Sequence, residues 1–190
     1  MKKQMLAVLV GAMMALPVVA SAQTSYVGIN VGNAKQKVGI EDATGSIKDS
    51  STGYKIYGGY NFNQNLGIEG GYVSFGKGKV AYDDGTASGE VQSKPRALYA
   101  AVTGNLPLSN AFALTAKAGV AFNRVKVHDT GYGDSVSESR TTPMFGVGAS
   151  YGFSKNIAVV VEYENFGKVA KGEGLYLKAN LISAGVRYSF

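Results

Sequence analysis

Eight stretches of this chain alternate apolar and polar residues with period two, and in each the central residues of one face carry no formal charge. Successive side chains of a strand point to opposite sides, so this pattern dictates strands lying between an apolar and a polar medium. The stretches fall near Ser25–Gly32, Gly53–Phe62, Leu66–Phe75, Arg96–Leu106, Phe112–Val125, Pro143–Phe153, Ile157–Phe166 and Leu177–Phe190. Their charge-free face includes Val27, Ile29 and Val31; Leu98, Ala100 and Val102; and Ile182, Ala184, Val186, Tyr188 and Phe190. The other face holds Lys55, Asn61, Glu69, Thr103, Asn105, Thr115, Lys117, Ser150, Glu162, Glu164, Ser183 and Arg187 among glycines and alanines. A Lys or Arg facing lipid at the bilayer midplane costs about 2–4 kcal/mol. The absence of any such residue from one face is therefore a strong constraint.

The connections alternate in length. Short turns are expected at "NQN" (Asn63–Asn65), "PLSNA" (Pro107–Ala111) and "SKN" (Ser154–Asn156), and long polar links at Asn33–Thr52, Gly76–Pro95, Lys126–Thr142 and Gly167–Tyr176. Hairpins with tight turns at one end and long loops at the other, even in strand number, predict an all-β, eight-stranded antiparallel up-and-down barrel. Alternation alone does not say which face is outside, since a soluble barrel uses the same period with the apolar face inward. Three features favour lipid outside. Tyr60, Phe62, Phe112, Tyr151, Phe153, Tyr188 and Phe190 gather at one set of strand ends, and Tyr54, Tyr72, Phe122, Phe145 and Tyr163 at the other, as two interfacial belts would. The apolar face mixes small Ala and Gly with Val and Ile rather than offering the interlocking shapes of a core. The polar face holds both signs of charge in nearly equal number, which suits a narrow lumen of paired ions.

The first residues set the compartment. Met1-Lys2-Lys3, an apolar Met5–Leu16 and the small residues Ala20-Ser21-Ala22 have the layout of a cleavable signal peptide. The apolar run is short for a helical span of about 20 residues, and it meets Pro17. Cleavage is expected after Ala22, with Ala20 and Ala22 as the small recognition residues, which makes 1–22 the signal peptide and 23–190 one barrel domain. The net charge of +6 falls to +4 when Lys2 and Lys3 are removed. No cysteine is present, so no disulfide is expected. Without a dense basic stripe, and with export, nucleic acid is not an expected partner.

Taken together, "LGIEGGYVSFG" (Leu66–Gly76), "MFGVGASYGFSKNIAVVVEYENFG" (Met144–Gly167) and the closing "LISAGVRYSF" (Leu181–Phe190), in this order and spacing, resemble the OmpA-like transmembrane domain of bacterial outer-membrane proteins. The resemblance covers essentially all of Gln23–Phe190 and includes the small opacity-type surface proteins. It implies a place in the outer membrane of a Gram-negative bacterium. It also implies a final strand, with Val186, Tyr188 and Phe190, that is read by the barrel assembly machinery. A lumen ion cluster is implied as well, for which Glu69, Lys117, Glu162 and Arg187 are the main candidates and Lys55 and Glu164 secondary ones. Arg187 is expected to seek Glu69 or Glu162. Such a cluster either satisfies buried charge or gates a narrow pore. Longer members carry a periplasmic peptidoglycan-binding domain, which this sequence is expected to lack.

Other motifs carry less. His128 in "KVHDTGYGDS", beside Asp129 and near Ser135, is expected in a long loop; proximity in sequence does not make a catalytic triad. "YDDGTASGE" (Tyr82–Glu90) lacks the ligand spacing of a calcium loop. "GYVSFGKG" (Gly71–Gly78) has Gly78 where a phosphate loop needs Ser or Thr. No enzyme activity, metal or cofactor is expected. Cations such as Lys35, Lys37, Lys48, Lys94, Arg124, Lys126, Lys168 and Lys178 line the long links and their edges. They would meet outer-membrane lipid and lipopolysaccharide phosphates, or bind polyanions of another surface. The sequence therefore points to a non-enzymatic barrel serving envelope integrity and surface presentation, with an adhesin or a low-conductance pore as alternatives.

Overall fold

The computed structural model describes residues 24–40, 46–76, 78–83, 88–129, 135–172 and 175–190. Nine strands occupy most of them: β1 (Thr24–Ile40), β2 (Ser46–Asn61), β3 (Leu66–Ser74), β4 (Gly78–Asp83), β5 (Ser88–Pro107), β6 (Phe112–Asp129), β7 (Ser135–Gly152), β8 (Ile157–Gly172) and β9 (Leu175–Ser189). All neighbours are antiparallel, β3 and β4 both pair with β5, and β9 pairs with β1, so the sheet closes. Because β4 continues β3 along the same neighbour, the barrel has eight staves. Phe190 N–H donates to the Ser25 carbonyl at 3.0 Å, which extends the closing seam beyond β9.

Burial decides which face is outside. The charge-free residues are exposed, with Ile29 at 59% and Val147 at 58%, whereas Lys55 and Glu164 on the opposite face are at 0%. Apolar side chains outside and ions inside is the arrangement of a barrel solvated by lipid. The aromatic belts are present as contacting pairs: Tyr60–Phe62, Tyr151–Phe153 and Tyr188–Phe190 at the short-turn end, and Tyr54–Tyr72 at the other.

The three short turns share one device. Asn63 Oδ1, Ser109 Oγ and Ser154 Oγ each accept from two following backbone N–H groups, at 2.8–3.3 Å. A short oxygen-bearing side chain in each turn replaces the missing ladder bonds.

The long links differ from expectation. Much of Asn33–Thr52, Gly76–Pro95, Lys126–Thr142 and Gly167–Tyr176 is strand, so the hairpins continue beyond the aromatic belt. Polar composition had suggested loops, but cross-strand backbone bonds tolerate any side chain that can face water. Of Tyr82–Glu90, the described residues at either end lie in β4 and β5, with Tyr82 paired to Gly89 and Asp83 to Ser88. His128 lies in β6 opposite Ser135 of β7, not in a loop. The signal segment and Ala20 and Ala22 lie outside the described residues.

Candidate functional site: the barrel lumen

Inward positions of β2, β3, β6 and β8 converge midway along the barrel. Lys55 (β2) donates to Glu164 (β8) at 2.9 Å and also pairs with Glu162. Lys117 (β6) reaches Glu69 (β3) and Glu162, each at 2.6 Å, and Glu164 at 3.3 Å. Two ammonium groups thus hold three carboxylates whose oxygens lie within 4.8 Å of one another. Acidic groups this close repel unless cations lie beside them, and here Lys55 and Lys117 between them pair with all three.

Neutral side chains complete the shell. Glu69 accepts from the hydroxyls of Tyr26 at 3.1 Å and Tyr99 at 2.7 Å. Asn30 Nδ2 donates to Glu162 at 3.0 Å and to Ser183 at 3.3 Å. Tyr57 lies among the cations, its ring centre 4.4 Å from Lys55 Nζ, 5.7 Å from Lys117 Nζ and 5.8 Å from the Arg187 guanidinium. Tyr26, Tyr57 and Tyr99 were missed by a reading that followed formal charge; their inward phase, in step with Asn30, Lys55 and Ala97, was the available signal. Their bulk needs room. A Cβ on Gly28 would stand 2.3 Å from the Tyr57 ring, and one on Gly59 would stand 2.3 Å from that of Tyr26.

Arg187 departs from expectation. It lies inside the barrel at 9% exposure, but no ion pair joins it to Glu69 or Glu162 among the described residues. Its guanidinium stacks 4.6 Å from the centre of the Tyr26 ring, and its Nε and Nη2 have no hydrogen-bond partner. The lysines of β2 and β6 already pair with Glu69 and Glu162. The arginine is left to the ring faces, which attract cations electrostatically.

Toward the long hairpins the lumen turns apolar. Phe75, Met144, Phe166, Val169 and Leu181 are all at 0% exposure. The Phe75 and Phe166 rings meet edge-on at 5.0 Å, and Tyr99 meets Phe166 at 6.1 Å. Each phenylalanine precedes a glycine with positive φ, Gly76 at 79° and Gly167 at 69°. Both belong to a repeated Phe-Gly-Lys, at 75–77 and 166–168. At the second copy the β8–β9 register shifts between Asn165 and Lys168, the signature of a bulge. The phenylalanine carbonyls released from the ladder are recovered by inward hydroxyls: Ser51 Oγ donates to Phe75, and Thr142 Oγ1 to Phe166 at 2.6 Å. The bulges aim two rings across the lumen, above the ions.

Over residues 5–190 the chain matches the family described as the outer membrane protein beta-barrel domain. The chain belongs to this family. Outer membrane protein P5 of Haemophilus influenzae is 29% identical over 192 residues, covering 90% of this chain and 53% of that protein. The chain thus spans about half the length of the curated relatives it matches. Among solved structures, the attachment invasion locus protein Ail of Yersinia pestis, in complex with the heparin analogue sucrose octasulfate, is similar with a TM-score of 0.57 at 18% identity. That match covers 86% of this chain and 99% of Ail. Neisserial surface protein A matches with a TM-score of 0.56 at 22% identity, covering 87% of this chain and 97% of that one. This is an outer-membrane barrel of the small eight-stranded type.

Proposed function

We propose that this barrel is a sealed, non-enzymatic envelope protein that stabilises the outer membrane and presents its strand-built hairpins outside. The observation carrying this reading is the two-layer lumen: an ion-paired layer beneath an apolar one. An eight-stranded interior is about filled by side chains, and here its ions are held in place by several bonds each. In this proposal residues 1–22 are removed after export and 23–190 form the barrel. Val186, Tyr188 and Phe190, each 47% exposed on the outer wall, form the element read by the assembly machinery. Outer-membrane lipid and lipopolysaccharide are its standing partners.

Conductance and envelope assays test it. Purified barrel in planar bilayers is expected to give no discrete steps. Cells lacking the protein are expected to become more sensitive to bile salts and detergents. Regular conductance steps that change with Glu69→Gln or Lys117→Met would instead establish a pore. Unaltered detergent sensitivity would remove the envelope role.

A second reading, adhesion through polyanions, is favoured by the cations of the long hairpins and by the sulfated ligand bound to Ail. Hairpin-deleted cells that lose attachment to heparin-coated surfaces while retaining detergent resistance would support it.

A further inference from the structure

One buried cation of the lumen lacks a countercharge. Lys55 and Lys117 between them engage Glu69, Glu162 and Glu164, the three carboxylates of the cluster. Arg187, at 9% exposure, joins no ion pair among the described residues. Its guanidinium carbon lies 4.6 Å from the centre of the Tyr26 ring and 5.8 Å from that of Tyr57, two rings that meet edge-on at 6.3 Å. Ring faces attract a cation, but they return only part of the cost of taking it out of water.

The unpartnered atoms say what is missing. Nε and Nη2 share one edge of the guanidinium and carry the two parallel N–H groups with which arginine grips an anion. The Tyr57 hydroxyl is likewise buried without a partner. It belongs to the same place. Arg187 stands directly opposite Gly28 across the β1–β9 ladder, and a Cβ on Gly28 would lie 2.5 Å from that hydroxyl oxygen. The Tyr26 hydroxyl, by contrast, donates to Glu69. Two N–H groups and one O–H are thus gathered at one spot. An unpartnered acceptor, Asn30 Oδ1, lies against Gly185, two residues along β9, at 2.3 Å from a Cβ built there.

The way in is from the short-turn end. Inward residues there, among them Asn61, Asn105, Ser150 and Ala158, are half-buried, and none described at that end apart from Arg187 is charged. The opposite end is closed by the Phe75 and Phe166 rings.

We infer that Arg187 and Tyr57 form a binding site for one small monovalent anion of the halide type, reached from the periplasmic mouth of the barrel. Charge and size set the ligand. One uncommitted guanidinium matches a single negative charge, and donors without an acceptor call for a ligand that only accepts. The flanking rings keep the site small, and a phosphate would bring more charge than one arginine offsets. The inference goes beyond the envelope role, which holds whether or not the anion binds.

Anomalous diffraction tests the site, on crystals of the full barrel grown without chloride and soaked in a series of sodium bromide concentrations. A bromide peak touching Nε and Nη2 of Arg187 and the Tyr57 hydroxyl is expected. Tyr57→Phe keeps the ring and removes one donor, so half-saturation is expected to need about tenfold more bromide. Arg187→Gln is expected to abolish the peak. In solution, urea unfolding of the barrel in lipid vesicles compares sodium chloride with sodium gluconate at equal ionic strength. Wild type is expected to be more stable in chloride, and both variants are expected to lose that difference. A heat-dependent shift in gel mobility shows whether each variant is folded; if Arg187→Gln is not, Tyr57→Phe decides alone. Density beside Arg187 without anomalous signal would mean a water bridging it to Asn30 Oδ1, and would overturn the inference. Equal stability of wild type in the two salts would mark an adventitious ion only and overturn it too, as would unchanged bromide saturation in Tyr57→Phe.

Discussion

Lys117 and Lys178 are both central lysines of an antiparallel sheet, yet their surroundings are opposite. Lys117 points into the lumen and touches three carboxylates; Lys178 points outward and has a lysine as its cross-strand partner on either side. The difference follows from the medium. Within the wall an unpaired charge cannot be hydrated, so each ammonium is packed against carboxylates or an aromatic ring. Outside, water solvates each charge directly and its high dielectric weakens their repulsion, so the chain can hold like charges side by side. Burial therefore demands pairing, and exposure to water does not.

Breaking the interior pairing is expected to have the largest effect. Glu162→Gln removes the carboxylate shared by Lys55 and Lys117, and the loss of one partner in a buried network costs about 3–5 kcal/mol. Urea unfolding of the barrel in lipid vesicles measures it. An effect below 1 kcal/mol would mean that the lumen is hydrated well enough to erase the contrast with the rim. Next comes the apolar layer. Phe166→Ala removes a ring packed against Phe75 and Tyr99 and is expected to cost about 3 kcal/mol. The same variant is expected to raise ion leakage through reconstituted barrels, since a ring that separates the ions from the outside is gone.

Smaller still is the backbone device that aims the ring. Gly167→Ala places a Cβ on a residue with φ of 69° and is expected to cost about 1–2 kcal/mol, read from the same urea midpoint. At the rim, Lys37→Ala is expected to change stability by no more than about 0.5 kcal/mol, since it removes repulsion as well as charge. A large destabilisation there would show that Lys37 is a structural element of the sheet rather than a solvated surface residue.

Strand number, closure and the sidedness of the wall were legible because period two and the absence of charge are local properties. A residue's neighbours two positions away suffice to assign its face, and this placed Glu69, Lys117, Glu162, Arg187, Lys55 and Glu164 all inside. The same logic reached Tyr57 and Tyr99 in principle, but attention to charge passed over them. Hairpin length was less legible, because a solvent-exposed ladder needs no hydrophobic pattern to persist and its polar residues imitate a loop.

The sequence alone therefore determined which side chains enter the lumen, since the pleat fixes direction residue by residue. Only the tertiary structure decided whom they meet. Partners inside a barrel lie across its width, on strands far apart in the chain, and their contacts depend on register and stagger. That is why Arg187, read as a partner for Glu69 or Glu162, rests against Tyr26 while the lysines hold the carboxylates. Phe75 and Phe166 meet for the same reason: 91 residues apart in the chain, they converge only because two glycine bulges turn them toward one axis. Lys37, Lys48, Lys168 and Lys178 likewise become cross-strand neighbours only once the strands are in register.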